Sequence, residues 1–335
     1  MNYDLEKIII EITQDCNLDC LYCYNIWKND KFNYKISNSY NKSIKLLKRL
    51  YKLFPIKHIT FTGGEPLISE RFLEVVLFAK MKKSSVTIIT NGTNNDDNIF
   101  TELKDINVNL FEAPFHSMIP EEHDKMTNRE GSHKKVLQSI NSLLNLGLKV
   151  VIVIIATKIN YHSIENTILY LKDLGINQIM LNRFNIGGKG IYNNEKLRLN
   201  SSDLNMLFHK VDNLLVGNKL HITSNISTPY CFLNPYNFKN IRFARCSSDL
   251  KKMPLTIDIN GNIRLCNHTP YILGNIFNDK IETIFCNNHL KDWDEQYPDM
   301  CKNCIYLSEC RGGCKAAVLQ MNKPLNEADP ILDIW

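Results

Sequence analysis

The sequence predicts an α/β fold in which the first two thirds of the chain form a parallel sheet covered by helices. Apolar, β-branched runs alternate with segments of helical periodicity up to about residue 184, and this alternation is typical of βα repeats. Right-handed crossovers between parallel strands would curl such a sheet into a full or partial barrel. Because functional groups in these folds gather at the carboxyl ends of the strands, motifs that directly follow predicted strands indicate the site.

Each element is predicted from local pattern. Apolar runs bounded by turn residues predict strands over residues 7–13, 57–62, 85–90, 107–112, 148–156 and 177–182. Helical periodicity predicts helices over residues 39–53, 70–82, 132–146 and 161–174. Gly147 and Gly175 follow the last two helices, where glycine commonly ends a helix.

The character of the chain changes after the sixth predicted strand. A glycine-rich stretch at 187–190 ends the repeat, and one more helix (201–216) and one strand (219–224) are predicted before residue 228. The remainder is loop-rich and cysteine-rich, and metal ligation would supply the order that it otherwise lacks. We therefore predict a barrel domain, a bridging segment and a cysteine-rich domain, with these bounds: 1–185, 186–228 and 229–335.

Composition excludes several classes of protein. Hydrophobic residues make up 44% and charged residues 22% of the 335-residue chain, which is a globular balance. The net charge of +5 comes from scattered basic residues and does not indicate a nucleic-acid partner. The apolar run from Val150 to Ala156 is far shorter than the roughly 20 residues of a membrane span. With no signal-peptide pattern, we expect a cytoplasmic protein with reduced thiols and no membrane partner.

The cysteines fall into two fields, separated by the cysteine-free stretch between Cys23 and Cys231. In a reducing compartment such fields indicate metal binding rather than disulfides. Cys16, Cys20 and Cys23 follow the first strand on one short loop, where three thiolates can hold three irons of a [4Fe–4S] cluster and leave the fourth iron open. A zinc site or inert thiols are the alternative, although zinc usually needs a fourth ligand and the nearest histidine is His58.

A second motif, Gly63-Gly64-Glu65-Pro66, lies at the end of the second predicted strand. An ordinary glycine turn is one interpretation. The other is a small-ligand site, because backbone without side chains beside a carboxylate can accept an α-amino group. The choice between the two depends on the first cysteine field.

Together these motifs resemble those of the radical S-adenosylmethionine (SAM) enzymes, over roughly residues 5–185. The family's CxxxCxΦC motif matches Cys16, Cys20 and Cys23, with Tyr22 at the aromatic position, and its GGEP motif matches residues 63–66. The resemblance implies a partial (β/α)6 TIM-type barrel in which SAM binds the open iron through its amino and carboxylate groups. Reduction would cleave SAM to methionine and a 5′-deoxyadenosyl radical.

Weaker matches suggest further SAM-binding residues. Asn91 lies in a turn similar to the family's TNG motif, with a plain turn as the alternative. Arg129, after His123-Asp124, resembles an HD…R stretch whose arginine can approach the SAM carboxylate, and a solvated surface arginine is the alternative. The residues Phe111-Glu112-Ala113 depart from the turn that the family usually has after the fourth strand.

Three polar residues near the ends of the fifth and sixth strands complete the candidates: Asn160, Asn182 and Arg183. They either line the SAM pocket or cap helices and turns.

The second cysteine field has the pattern Cys246-x14-Gly261-x4-Cys266, followed by Cx2Cx5Cx3C over residues 301–314. Alone, the latter run could be a four-cysteine zinc site. The combined spacing resembles the SPASM extension of radical SAM enzymes, which implies a C-terminal, loop-rich iron–sulfur domain with two auxiliary [4Fe–4S] clusters.

The resemblance assigns ligands to both auxiliary clusters. For one it gives Cys246, Cys266 and Cys314, with Cys231 as the fourth ligand. For the other it gives Cys301, Cys304 and Cys310. The family's final cysteine is missing, which leaves that second cluster with an open iron, fewer irons, or an unusual ligand such as Asp329 or Asp333. These aspartates can equally belong to a solvated tail.

Two cysteines have other interpretations. Cys231 could instead donate a hydrogen atom to a substrate radical, as in peptide epimerases, or be a structural thiol. Cys286 fits neither ligand pattern and is predicted to be a buried thiol.

Because SPASM relatives mostly act on peptides, the expected function is maturation of a ribosomally made peptide, with oxidative thioether or C–C crosslinking. The expected partners are the precursor peptide, an electron donor (flavodoxin or ferredoxin) and a separate leader-recognition protein, since the first strand begins close to residue 1. The alternatives are a peptide epimerase, an enzyme acting on a tetrapyrrole or redox-cofactor precursor, and a non-enzymatic electron-transfer or zinc module.

Overall fold

The computed structural model describes residues 5–33, 35, 38–94, 97–247, 249 and 255–332. The strands among these residues are β1 Lys7–Thr13, β2 His58–Gly63, β3 Ser85–Ile89, β4 Leu110–Pro114, β5 Val150–Ala156, β6 Gln178–Arg183, β7 His221–Ser224, β8 Arg242–Phe243, β9 Leu255–Asp258, β10 Asn262–Arg264 and β11 Gly274–Asn275.

The helices lie mostly between successive strands. Those described are α1 Tyr40–Leu53, α2 Phe72–Met81, α3 Asp97–Asp105, α4 Pro120–Thr127, α5 Ser132–Asn145, α6 Ile164–Asp173, α7 Asn194–Leu197, α8 Ser201–Leu214, α9 Ile281–Phe285, α10 Asn288–Glu295, α11 Leu307–Cys310 and α12 Lys315–Gln320. None of the helices in the described ranges is both long and apolar enough to cross a membrane.

The described strands form one sheet in the order β11-β10-β9-β1-β2-β3-β4-β5-β6-β7-β8. Every pairing from β9 through β1 to β8 is parallel, and β10 and β11 add antiparallel strands beyond β9. The sheet therefore stays open, with β8 and β11 at its edges. This confirms the predicted α/β fold and partial barrel.

The main core lies between the sheet and its outer helices. Alternate strand residues point to that side, so that in β5 Ile152 and Ile154 are completely buried while Val153 and Ile155 remain partly accessible. Phe111 of β4 packs edge-on against Phe100 of α3, with ring centroids 6.0 Å apart. Successive side chains on a strand point to opposite faces. Since Phe111 faces the helices, Glu112, which follows it on β4, faces the inside of the curved sheet.

The cysteine-rich region is attached to the barrel by buried polar contacts as well as by strand pairing. Residues Ile8 to Glu11 of β1 pair with β9, and on the inner face the Arg264 guanidinium of β10 forms an ion pair with Glu11, both groups being buried. Arg264 also donates to the carbonyl of Thr269 at 2.9 Å. A buried charge requires such a set of partners, so the two regions are fixed to each other along this seam.

Candidate active site

The three cysteines of the first field lie together on the loop that follows β1, defined here as the first cysteine loop, residues 14–25. Burial raises the pKa of all three thiols, that of Cys23 to about 11. The charges of Cys23 and Cys16 contribute further to the raised pKa of Cys20, which indicates that the three side chains are close to one another. Thiols with raised pKa values are protonated at neutral pH, and metal binding is what would convert them to thiolates.

The donor set suits a cluster that leaves one iron without a protein ligand. Three cysteine sulfurs on one loop provide one thiolate for each of three irons. Among the residues that the structure describes, no three side chains of His, Cys, Asp or Glu converge on a point where they could share a single metal ion. A [4Fe–4S] cluster does not require its ligands to converge on one point, because each thiolate binds a separate iron.

Gly63, the last residue of β2, and Gly64, which follows it, allow the chain to approach the first cysteine loop. Gly63 has a φ of +138°, and a Cβ there would lie 2.2 Å from the Thr13 carbonyl oxygen. A Cβ on Gly64 would lie 2.0 Å from the carbonyl oxygen of Asp15. In their place, the Gly64 amide donates to the Thr13 carbonyl at 2.7 Å, and the Glu65 amide donates to the Asp15 carbonyl at 2.8 Å.

We expect the Gly64→Ala variant to lose the fixed geometry of this loop. The added methyl group meets backbone, which cannot rotate away, so the two segments must separate, at a cost of at least about 1–3 kcal/mol in the free energy of unfolding. Urea unfolding and the iron content after reconstitution measure the effect. Gly131→Ala is the control for a methyl group in open space, because no atom lies within 4 Å of an added Cβ there, and its φ of +76° adds a backbone strain that Gly64 does not have. Equal behaviour of the two variants would contradict this assignment of the Gly64 contact.

Glu65 is a buried carboxylate held by three donors. Its Oε1 accepts from the Leu67 amide at 3.0 Å and from the Thr90 hydroxyl at 2.7 Å, and its Oε2 accepts from the Asn91 amide at 2.5 Å. Burial raises the pKa of this carboxyl to about 7, although the three hydrogen bonds oppose that effect. Glu65 thus ties the end of β2 to the turn after β3, and its contact with SAM stays a prediction, as does that of Pro66.

Asn91 connects that turn to the first cysteine loop. Its Nδ2 donates to the Asn17 Oδ1 at 2.7 Å and to the Cys16 Sγ at 3.7 Å. Its Oδ1 accepts from the Thr93 amide at 2.9 Å. The residue predicted to bind SAM therefore also donates a hydrogen bond to a candidate iron ligand, which is the kind of outer contact that orients ligands and adjusts a cluster.

Tyr22 makes a similar contact with Cys20. Its hydroxyl lies close to the Cys20 sulfur, and the ring is partly buried. The His116 ring, just beyond β4, packs edge-on against Tyr22 with centroids 4.6 Å apart. The aromatic residue of the first cysteine motif is therefore fixed from both sides.

In the HD…R stretch, Asp124 has a structural role at the start of α5. Asp124 accepts from the Gly131 amide at 2.6 Å, the His133 amide at 2.7 Å and the Ser132 hydroxyl at 2.8 Å, and these contacts satisfy the first donors of α5. Arg129 is exposed, and its approach to SAM remains a prediction.

The polar residues near the carboxyl ends of β5 and β6 serve the framework. The Asn160 amide donates to the His116 carbonyl at 2.8 Å and to the Ile155 carbonyl at 3.0 Å. The Asn182 Oδ1 accepts from the Asn225 amide at 2.7 Å. These contacts hold loops at the carboxyl end of the sheet, and SAM binding by Asn160 remains a prediction.

Arg183 is buried and fully engaged within the protein. Its guanidinium donates to the Thr228 hydroxyl at 2.9 Å, to the Ser227 carbonyl at 2.8 Å and to the Asp329 carboxylate at 2.6 Å. Asp329 also accepts from the Cys314 amide at 2.8 Å. These partners lie in the chain after β7 and near the C-terminus, and a contact between Arg183 and SAM stays a prediction.

The second cysteine field separates into two groups in space. Cys266 lies near Cys314 and Cys246, whose charges add to burial in raising its pKa to about 12. The Asn185 amide donates to the Cys314 sulfur at 3.6 Å, and the Trp293 indole lies close to the Cys246 sulfur. The second group comprises Cys301, Cys304 and Cys310, and the structure places Cys231 beside it.

Two expectations about single residues change. Cys286 is exposed and not the buried thiol that was predicted, because it follows the short helix α9 on the surface. Asp329, considered as an iron ligand, is buried and already accepts hydrogen bonds from Arg183, Cys314 and Ile331. Asp333 lies outside the described residues.

Comparison with known proteins agrees with this geometry. The model of the radical SAM superfamily matches residues 10–185, which is more than half of the chain. The chain belongs to the radical SAM superfamily. The model of the SPASM iron–sulfur cluster-binding domain matches residues 246–305. The protein is therefore a radical SAM enzyme with a SPASM domain, and SAM and iron–sulfur clusters are its cofactors.

Several curated proteins are similar to this radical SAM enzyme. AlbA of Bacillus subtilis, an antilisterial bacteriocin subtilosin biosynthesis protein, is 25% identical over 328 residues, covering 93% of this chain and 68% of AlbA. Fe-coproporphyrin III synthase of Methanosarcina barkeri is 27% identical over 183 residues, which are 55% of this chain and 45% of the synthase. GTP 3′,8-cyclase of Aquifex aeolicus is 24% identical over 249 residues, covering 68% and 76% of the two chains.

Solved structures support the same fold. Streptococcus suis SuiB bound to S-adenosylmethionine superposes with a TM-score of 0.73 at 15% identity, covering 99% of this chain and 78% of SuiB. The anSMEcpe structure with bound AdoMet and the Cp18Cys peptide gives a TM-score of 0.72 at 18% identity, with 98% and 93% coverage.

One group of residues in this radical SAM enzyme was missed by the sequence analysis. Tyr24 stacks on His268 with ring centroids 3.8 Å apart, and its hydroxyl accepts from the Asn267 amide at 2.7 Å. The Gln320 amide donates to the backbone carbonyls of Tyr24 at 2.9 Å and His268 at 2.7 Å. Tyr24 directly follows Cys23, and His268 lies two residues after Cys266, so proximity to the cysteines was the available signal.

Proposed function

We propose that this radical SAM enzyme matures a ribosomally made peptide, removing a hydrogen atom from it and joining two of its residues oxidatively through a thioether or carbon–carbon bond. The observation that carries the proposal is the extent of the similarity to AlbA, which covers 93% of this chain and so includes the SPASM region. The match to Fe-coproporphyrin III synthase covers only 55%.

The inner face of the sheet suits a peptide side chain. Val153 and Ile155 of β5 and Met180 of β6 are only partly buried on this face, whereas the residues that alternate with them on each strand face the core and are buried. Glu112 lies on the same face, and burial raises the pKa of its carboxyl to about 7, so that it can take up a proton near neutral pH. The part of this face formed by β4, β5 and β6 combines apolar side chains with the Glu112 carboxylate, and so favours an uncharged substrate segment that must lose a proton.

The chain's own residues position the candidate cluster sites for the reaction. When bound, the clusters supply the electron that cleaves SAM and accept the electron that crosslinking releases. The contacts of Glu65 and Asn91 hold the first cysteine loop against the ends of β2 and β3. The contacts among Tyr24, His268 and Gln320 join that loop to the one containing Cys266, so the two candidate cluster sites keep a fixed separation.

The test is incubation of the anaerobically reconstituted enzyme with SAM, dithionite and a precursor peptide encoded beside its gene. We expect 5′-deoxyadenosine and a peptide that has lost two hydrogen atoms per crosslink, because bond formation removes one hydrogen atom and then one proton with one electron. Mass spectrometry of the peptide and of its fragments measures both the loss and its position.

The controls separate the alternatives. An epimerase leaves the peptide mass unchanged in H2O and adds one deuterium per turnover in D2O. Consumption of a coproporphyrin or another tetrapyrrole, with no change in any peptide, would overturn the proposal and favour the second candidate function, for which the similarity to Fe-coproporphyrin III synthase is the supporting observation.

A further inference from the structure

Cys231 lies on a segment that packs against the Cys301–Cys310 region. The Tyr230 amide donates to the Cys310 sulfur at 3.3 Å, so the residue next to Cys231 touches a candidate iron ligand directly. Pro229 lies over Gly313 so closely that a Cβ on that glycine would be 2.7 Å from the proline ring. The contact between Tyr230 and Cys310 places Cys231 beside the second cysteine group.

Aromatic contacts hold the two segments together on the other side. Tyr306, between Cys304 and Cys310, packs against Tyr230 and Tyr236 with ring centroids 5.6 Å and 5.9 Å apart. The Tyr236 hydroxyl donates to the carboxylate of Glu309 at 2.7 Å. The segment is also anchored away from the cysteines, because the Phe232 carbonyl accepts from the Ser201 hydroxyl at 2.6 Å.

The thiols themselves are near neighbours. Burial and the charges of Cys310 and Cys304 raise the pKa of Cys231, and the charge of Cys231 in turn contributes to the raised pKa of Cys301. The groups that act on Cys246 are different, namely the Trp293 indole and the charges of Lys315 and Arg311. Cys231 and Cys246, which the family resemblance assigns to one cluster, therefore have separate surroundings.

We propose that Cys231 is the fourth cysteine ligand of the auxiliary cluster held by Cys301, Cys304 and Cys310. Cys231 then takes the place of the cysteine that is missing after residue 314. The other auxiliary cluster keeps three cysteine ligands, Cys246, Cys266 and Cys314, and has one iron that no cysteine of the described groups binds. This assignment concerns the clusters alone and does not depend on which substrate the enzyme modifies.

Thiol alkylation of the iron-loaded protein tests the assignment without any turnover. Cys231 and Cys286 are both exposed, so a maleimide reaches both. We expect Cys231 to react roughly tenfold or more slowly than Cys286, because a thiolate that binds iron is not a free nucleophile. Mass spectrometry of proteolytic fragments gives the rate for each cysteine separately. Equal rates for the two cysteines would overturn the proposal.

Matched variants show which cluster protects the thiol. In a Cys301→Ala/Cys304→Ala variant, Cys231 is expected to react as fast as Cys286. In a Cys246→Ala/Cys266→Ala variant, it is expected to stay protected. The reverse pattern would assign Cys231 to the other auxiliary cluster and overturn the proposal.

A spectroscopic measurement covers the case in which a double variant does not fold. In the otherwise intact iron-loaded protein, the Cys231→Ala variant should change the electron paramagnetic resonance signal of one reduced auxiliary cluster. Cyanide binds an iron that has no protein ligand and so serves as the probe for an open iron. Because the Cys231→Ala variant would have one more open iron, cyanide should change the signal of one more cluster in this variant than in the unsubstituted protein. An unchanged response to cyanide would contradict the assignment.

Discussion

Replacing Cys16, Cys20 and Cys23 with alanine is expected to abolish the formation of 5′-deoxyadenosine from SAM. The family chemistry requires a cluster with one open iron, and the first cysteine loop supplies the only three cysteines that precede Cys231 in the chain. Their burial disfavours free thiolates, so the sulfurs are suited to binding iron rather than to acid–base work. The measurement is chromatography of the nucleoside products after reduction with dithionite.

The control must show that the triple variant is folded. Its auxiliary iron should remain, because those cysteines lie on other segments, and its iron content should therefore fall without reaching zero. Cys286→Ala is the matched single substitution and should leave product formation unchanged, since that thiol is exposed and outside both cysteine groups. Persistent SAM cleavage by the triple variant would contradict the assignment of the radical-generating site.

Replacing Arg183 with methionine is expected to cause a large loss of stability. Arg183 and Asp329 form an ion pair in which the side chains are only 2% and 0% exposed. Removing one partner leaves the other charge buried, which costs about 3–5 kcal/mol. Because Asp329 also accepts from the Cys314 amide, auxiliary iron should be lost together with stability.

Urea unfolding of the cluster-free protein and iron analysis of the reconstituted protein measure the two effects. The Arg183→Met/Asp329→Leu double variant should recover part of the stability, because no uncompensated charge remains. The exposed pair of Arg71 and Glu74 is the matched control, and Arg71→Met should change stability little. An effect of Arg183→Met no larger than that of Arg71→Met would contradict this account.

The barrel strands could be predicted because their signals are local. The strand predicted at 7–13 is observed as Lys7–Thr13, and that at 148–156 as Val150–Ala156. β9 was not predicted: four residues are too short for a periodic pattern, and the strand exists because it pairs with β1. Long-range pairing of this kind leaves no trace in a local window.

The candidate site likewise has features with a local sequence signal and features that depend on long-range packing. Cysteine spacing and the glycines of residues 63–64 indicated the chemistry, because few sequences meet such demands by chance. The placement of Cys231 was not predictable, since spacing orders residues along the chain and does not determine which loop packs on which. Arg183 illustrates the remaining difficulty: a polar residue at a strand end suits a ligand or a buried partner equally well, and the partner, Asp329, is distant in sequence. The predicted domain boundaries at 185 and 228 remain predictions.

The position of β9 has a consequence for how the protein is made. During synthesis β1 emerges early, but the strand that covers its second edge begins only at Leu255. At roughly 5–20 residues per second, a ribosome takes on the order of 10–50 s to bridge that interval. For that time the edge of β1, with three adjacent isoleucines, Ile8, Ile9 and Ile10, is open to pairing with another chain. Expression yield should therefore depend on translation rate and on chaperones that shield nascent strand edges.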